Sequence, residues 1–343
     1  MRRKLAILLV LVAFVVASAG LGYSAEFANP DLILSAKQLK DKVDKPDWVV
    51  VDCRDLKDYA KGHIPGSISL GQRCKKALRD YTARLFEPDK YEKLLGKVGI
   101  GNDTHVVLYG EHEKTDTVRD SAVAFWIFEA MGHKKVHVLN GGIDDWINQG
   151  YPLSNEPTIK SAKNFKASPV ASALATTAEA VQVAKGQKKG VQLIDSRSED
   201  EHKGKDIRAL RGGHIPNTTI NVSHKETWDQ VKDRESGKMK DNGYWSADRL
   251  ESLFGKLDRA KRTIAYCQTG TRSAMTYFEL RLMGFKDPAN YDDSWIIYAS
   301  HPDMYPVADE QWFDFARVRK LEKSLKKLED KVAELSGGGD KKE

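Results

Sequence analysis

The sequence predicts an α/β protein of two tandem, similar domains, each a mostly parallel sheet flanked by helices, with one further helix at the C-terminus. Three observations predict it. Short apolar runs alternate with stretches of helical periodicity along most of the chain. The pair Asp-x-Arg and Gly-His-Ile-Pro occurs twice, as Asp52-Cys-Arg54 with Gly62–Pro65 and as Asp195-Ser-Arg197 with Gly213–Pro216. Beyond Pro306, Val318, Leu321, Leu325, Leu328, Val332 and Leu335 recur at alternating spacings of three and four, the mark of a separate helix.

The chain of 343 residues is 41% hydrophobic, enough for two domains with cores of their own. It is 30% charged with a net charge of +6. The basic residues are scattered among acids, which argues against nucleic acid as a partner. No metal or cofactor is expected.

Residues 1–25 read as an export signal. Arg2-Arg3-Lys4 precedes the apolar run Leu5–Ala17 and the small-residue stretch Ala17-Ser18-Ala19, with a second cleavage point after Ala25. Removing them takes away three positive charges and leaves +3. The expectation is a periplasmic or secreted protein, with an uncleaved membrane anchor as the alternative.

Residues 28–153 form the first domain. Val49–Asp52 and Val106–Tyr109 read as buried strands; Ala122, Trp126 and Ala130 mark a helix that stops at Met131-Gly132; Val136–Leu139 is a further strand. Residues 154–175, rich in Ser, Ala and Lys, read as a linker. In the second domain, residues 176–306, Val191–Asp195 and Thr263–Tyr266 repeat the strands, and Ala274, Phe278 and Leu282 repeat the helix up to Met283-Gly284. Asn140-Gly141-Gly142 stands where Asp292-Asp293-Ser294 stands. A period of about 150 residues means duplication, not a solenoid.

The copies differ after the Tyr109 and Tyr266 strands. The first continues into Gly110–Arg119, which has no thiol; the second continues Cys267-Gln-Thr-Gly270-Thr-Arg272 into the helix. Cys267 therefore sits at a strand end beneath a helix N-terminus. Unpaired N–H groups and the helix dipole favour a thiolate there, with pKa values of roughly 3.5–7.5 in such sites. Gly270 lets the loop fold inward and Arg272 adds fixed positive charge, so Gln268–Arg272 form an anion cradle with a nucleophile at its floor. Of the other cysteines, Cys53 and Cys74 form a disulfide if the compartment is oxidising. The plainer reading, preferred because spacing alone establishes no bridge, is a small buried Cys53 and an incidental Cys74.

The cysteine loop, the doubled motif pair and the duplication resemble the tandem rhodanese family, the thiosulfate and mercaptopyruvate sulfurtransferases. The resemblance implies transfer of a sulfane sulfur from a small sulfur-containing anion to cyanide or a thiol through a Cys267 persulfide held by the loop amides. It makes Asp195 and Arg197 braces of the loop, and His63 and His214 residues that fix turns. Glu201, Arg208, Arg211 and Trp295 are its candidate substrate-cleft residues. The loop departs from both known patterns, Cys-Arg-Lys-Gly for thiosulfate and Cys-Gly-Ser-Gly for mercaptopyruvate. The arginine usual four residues after Asp-x-Arg is here Glu201, whose charge is expected to oppose thiosulfate. Cysteine phosphatases have a longer loop; only four residues separate Cys267 from Arg272, which suits one persulfide sulfur better than a tetrahedral oxyanion. A non-enzymatic sulfur- or partner-binding module is the alternative function.

The tail, residues 307–343, carries the heptad seam with Lys and Glu on its outer faces. The seam is under three heptads long, so the helix needs a surface to pack on. The plainer expectation is docking along its own domain; self-association through 318–335 is the sharper one.

Overall fold

The β-branched run Val49-Val-Val can only be a strand covered on both faces, and its three side chains are buried under helices from either side. The computed structural model describes residues 25–114, 116–234 and 236–337. The expected export signal lies outside them but for Ala25. The first domain contains β1 (Ile33–Leu34), β2 (Trp48–Asp52), β3 (Ile68–Ser69), β4 (His105–Tyr109) and β5 (Val136–Leu139). The second contains β6 (Leu174–Ala175), β7 (Gln192–Asp195), β8 (Arg211–His214), β9 (Ile220–Asn221), the hairpin β10 (Gln230–Lys232) and β11 (Met239–Asp241), β12 (Arg262–Tyr266), β13 (Asp287–Tyr291) and β14 (Ala308–Trp312).

The duplication reappears as topology. One sheet runs β1-β5-β4-β2-β3 and the other β6-β13-β12-β7-β9, both wholly parallel. Asp52 pairs with Tyr109 across β2 and β4, as Asp195 pairs with Tyr266 across β7 and β12. Gly110 therefore occupies in the first domain the place of Cys267 in the second.

The domains meet through the two equivalent helices, Val118–Ala130 and Thr271–Leu282, with Phe125 and Phe278 edge to face at 4.8 Å. Both helices are buried almost all round, each held between its own sheet and its counterpart. Each ends on a left-handed glycine, Gly132 at φ +84° and Gly284 at φ +79°. Asn140 seals the seam by exchanging two hydrogen bonds with the backbone of Trp245, at 2.9 and 3.0 Å. Because the helices run side by side, their N-termini open onto one cleft between the domains.

The linker is less loose than its composition suggests. It ends in β6, buries Phe165, and hydrogen-bonds its backbone to Gly96, Ala130 and Met131. The tail departs from the plainer expectation: β14 pairs with β8, but the helix Phe315–Gly337 leaves the domain surface, and Leu321, Leu325, Leu328 and Val332 remain 57–63% exposed. Among the described residues no helix is long and apolar enough to cross a membrane.

Candidate active site

Cys267 is placed by three clasps. Its N–H donates to Ser294 Oγ at 3.0 Å, its carbonyl accepts from Trp295 N at 3.0 Å, and Ser273 Oγ lies 3.5 Å from its Sγ. Ser294 holds a left-handed φ of +51° while its hydroxyl donates to the Tyr291 carbonyl at 2.7 Å. In the first domain its place is taken by Gly142, which needs no such support. Gly270 closes the loop at φ +71°, and a Cβ there would lie 2.1 Å from Asp292 Oδ1. Asn290 Nδ2 donates to the Gly270 carbonyl at 3.0 Å, and the helix starts at Thr271.

The thiol is 1% exposed. Burial alone would raise its pKa; the Arg272 charge, the Ser273 hydroxyl and the N–H groups of Ser273 and Thr269 outweigh it and hold the thiol below its ordinary value. A buried sulfur whose pKa is nonetheless lowered is a prepared nucleophile.

Beneath the loop lies a buried brace. Arg197 grips Asp195 through Nε at 2.9 Å and Nη2 at 2.6 Å, and Nη2 also reaches the Gly213 carbonyl at 2.7 Å. Tyr266 OH and His202 Nδ1 donate to the same carboxylate at 3.1 and 2.9 Å. Burial works against the charge on Asp195, but Arg197 and His202 hold the carboxyl well below the usual range. The first domain repeats this arrangement as Arg54, Asp52 and Tyr109 around the Gly62 carbonyl. Such a unit in a domain whose equivalent loop has no cysteine is scaffold. His214 Nδ1 donates to the His202 carbonyl at 3.0 Å and His63 Nδ1 to the Tyr59 carbonyl at 2.8 Å, so both histidines pin turns.

Above the loop opens a cavity of about 540 Å³ lined by Gln268, Thr269 and Arg272 from the loop, Glu201 and Arg208 from the second domain and Arg119 from the first. Glu201 lies at this mouth but does not face it as a free charge. It is 2% exposed and takes both Nη atoms of Arg272, at 2.6 and 2.8 Å, with Arg208 Nη1 at 3.4 Å. Against the cost of burial, Arg272 pulls its pKa down to about 2. Thr271 turns the other way and accepts from Arg79 Nη2 at 2.9 Å, beside a second cavity of about 720 Å³.

Two of the expected cleft residues are elsewhere. Arg211 is buried behind β8, donating to the Ala299 and Tyr305 carbonyls and to Glu310. Trp295 is buried under Arg197, 4.4 Å from ring to guanidinium, and donates to the Arg211 carbonyl at 3.0 Å. Both are structural, because strand pairing by β14 and the brace leave them no open face.

A model of the rhodanese-like domain matches residues 35–149 and again 177–300. The chain belongs to the rhodanese family. A Corynebacterium glutamicum thiosulfate sulfurtransferase is 31% identical over 290 residues, 79% of this chain and 88% of that one. A Mycobacterium tuberculosis protein whose thiosulfate sulfurtransferase name is itself provisional is 35% identical over 286 residues, 80% of this chain and 96% of that one. The anaerobic ergothioneine biosynthesis enzyme of Chlorobium limicola, solved with trimethyl histidine, superposes with TM-score 0.68 at 22% identity, over 82% of this chain and 71% of that one. The Escherichia coli 3-mercaptopyruvate sulfotransferase SseA gives 0.62 at 22%, over 77% and 98%. These two likenesses show the fold.

Within this rhodanese pair, Cys53 and Cys74 are bridged, with S–S 2.09 Å, which corrects the preference for free thiols. The end of β2 and the short helix Cys74–Ala77 bring their Cα atoms to 4.7 Å, a closeness that a separation of 21 residues does not reveal. The bridge tethers the segment that carries Arg79 to the cysteine loop. Sequence reasoning also missed Arg79, Arg119, His224, Lys225, Ser273 and Ser294. Ser294 had a signal, since it replaces a glycine of the first repeat. Arg79 and Arg119 had none, because they reach the site only through domain packing.

Proposed function

We propose that the protein is an exported sulfurtransferase that cycles through a Cys267 persulfide. The thiolate attacks the outer sulfur of a donor; the bond from that sulfur to the rest of the donor breaks, and its electron pair leaves with the departing anion. The new terminal sulfur carries the charge, and the amides of Gln268–Arg272 are the donors available to hold it. Cyanide or a thiolate then attacks this sulfur, the S–S bond breaks, and the Cys267 thiolate returns. The observation that carries the reading is a fully buried thiol whose pKa is nonetheless lowered, at the N-terminus of a helix. Asp195 and Arg197 hold the loop in shape, and Arg272 stabilises the thiolate while anchored by Glu201.

The Cys53–Cys74 bridge and the N-terminal sequence support export to an oxidising compartment, periplasmic or extracellular. The exposed stripe of the C-terminal helix supports pairing with a second copy. Valine at Val318 and Val332 with leucine at Leu321 and Leu328 suits a two-stranded parallel coil.

Thiosulfate, mercaptopyruvate and polysulfide, each assayed with cyanide as acceptor, test the activity. At least one should be turned over many times, and Cys267→Ser should lose that turnover by at least a thousandfold. A protein that takes up one sulfur and never releases it is a sulfur-binding module instead.

A further inference from the structure

We infer that the anionic part of the sulfur donor is held at a subsite the two domains build together, by Arg119 of the first and His224 and Lys225 of the second. This rests on the sulfurtransferase reading and adds to it the origin of donor recognition.

Arg119 Nη1 lies 3.2 Å from His224 Nε2. A guanidinium only donates, so Nε2 must accept, and the neutral ring then carries its proton on Nδ1. That Nδ1 is buried and meets no hydrogen-bond partner among the described residues, and the same is true of Arg119 Nε. Buried donors are nearly always satisfied, so two orphans on residues that hydrogen-bond each other and both line one cavity point to an absent acceptor. His224 is 7% exposed and lines the cavity over the cysteine loop. Burial, then the charges of Arg272, Arg119 and Lys225, push its pKa down to about 3, which keeps the ring neutral.

The charges on the wall favour an anion. Arg119, Arg208, Lys225 and Arg272 line the cavity against Glu201 and Asp206, and Asp116, outside the lining, takes Arg119 Nη2 at 3.1 Å while leaving its Nε without a partner among the described residues. Glu201 already occupies both Nη atoms of Arg272. The loop residue after Cys267 is Gln268, whose Nε2 is committed to the Arg208 carbonyl at 2.7 Å. The catalytic loop thus offers no side-chain cation for a bound ligand, and the available donors lie across the cleft. The ligand class that fits is a small sulfane-sulfur donor bearing a sulfonate or carboxylate. With thiosulfate, the Cys267 thiolate bonds to the outer sulfur, the S–S bond to the sulfonate breaks, and sulfite departs with the electron pair. Arg119 and the His224 Nδ1–H receive sulfite's oxygens; no proton moves. His224 is a specificity residue and not an acid.

The test follows persulfide formation by intact mass against thiosulfate concentration in the full chain, for wild type, Arg119→Met, His224→Phe and His224→Asn. The half-saturating thiosulfate concentration should rise tenfold or more in Arg119→Met and His224→Phe, equivalent to about 1.4 kcal/mol. His224→Asn places an amide donor near the position of Nδ1 and should stay within about threefold. With dimethyl trisulfide, an uncharged donor whose central sulfur bonds to the Cys267 thiolate as methanethiolate departs, and which intact mass reads as a methyl trisulfide adduct, the first two variants should shift far less than with thiosulfate. Equal shifts for both donors, or none, overturn the subsite while leaving the Cys267 chemistry standing. Calorimetric titration of sulfite into Cys267→Ser and into Cys267→Ser/Arg119→Met tests the subsite without turnover. Loss of sulfite binding in the second protein supports it even where wild type forms no persulfide; equal binding overturns it.

Discussion

At the residue scale, the two buried glutamates of the second domain behave oppositely. Glu279, on the helix that follows the cysteine loop, accepts from Trp245 Nε1 at 2.9 Å and sits among Trp245 and Phe278, with Thr227 as its other partner. Burial raises its pKa from 4.5 to about 8, more than those hydrogen bonds lower it. The folded protein thus keeps a proton that the unfolded chain sheds above 4.5. The associated stability is complete below that value and is lost as pH climbs to about 8, by a few kcal/mol. Chemical denaturation from pH 5 to 9 should show this fall in wild type and a much flatter profile in Glu279→Gln. Glu201 is the reverse case, with its pKa held at about 2, so its stabilising effect is present above 4.5 and fades as pH falls towards 2. Glu201→Gln removes the bidentate partner of Arg272 and should destabilise by about 3 kcal/mol. It also frees a cation at the cleft, so the same variant should lower KM for thiosulfate several-fold; a raised KM would show that anchoring Arg272 matters more than its free charge. The sequence named Cys267, Arg272 and Glu201 because each stands in a motif. It could not show that two of them bind each other, since 71 residues separate them.

At the element scale, the sharp entry from β12 into its helix decides the site. Gly270→Ala must place a methyl against Asp292 and hold φ near +71°, so it should cost about 2–4 kcal/mol and most of the activity. Ser294→Ala leaves the Cys267 N–H without its acceptor; a persulfide-formation rate reduced about tenfold at unchanged thermal stability would place that clasp in the chemistry, and an unaltered rate would remove it. The disulfide acts on the same loop from the first domain. Arg79 touches Thr271 and forms an ion pair with Asp292 at 3.3 Å. Cys74→Ala should therefore raise donor KM while sparing the Cys267 thiolate, measurable by iodoacetamide reactivity. Strand and helix identities in both domains were legible because apolar runs and helical spacing repeat in step. The bridge was not, because a helix at Leu56–Lys61, the Gly62–Pro65 motif and β3 lie between the two cysteines, and nothing in the sequence shows that the ends of that segment meet. Arg211 was misplaced because β14, an exposed polar strand, gave no warning that it would cover it, and Trp295 because nothing in the sequence shows that Arg197 lies over its ring.

At the scale of the whole molecule, duplication explains both the domain packing and the asymmetry. Two copies of one topology pack through equivalent helices, and only one copy keeps a thiol at the strand end. The other contributes Arg119 to the wall of the cleft and Arg79 beside Thr271, so its loop is expected to shape affinity and not the bond-making step. His112 illustrates this, with Nε2 2.5 Å from Asp241 across the domain seam. His112→Ala should alter donor affinity without abolishing single-turnover transfer. The tail extends the same logic outward: sedimentation of the full chain should show a dimer that a truncation after Asp314 converts to monomer. All of this presupposes one sulfur-carrying residue. Peptide mapping of donor-treated protein, before and after cyanide, tests that most directly. One added sulfur is expected on the Cys267 peptide, removed by cyanide and absent from Cys267→Ser. Sulfur carried on the Cys53 or Cys74 peptide, or persisting in Cys267→Ser, would contradict it.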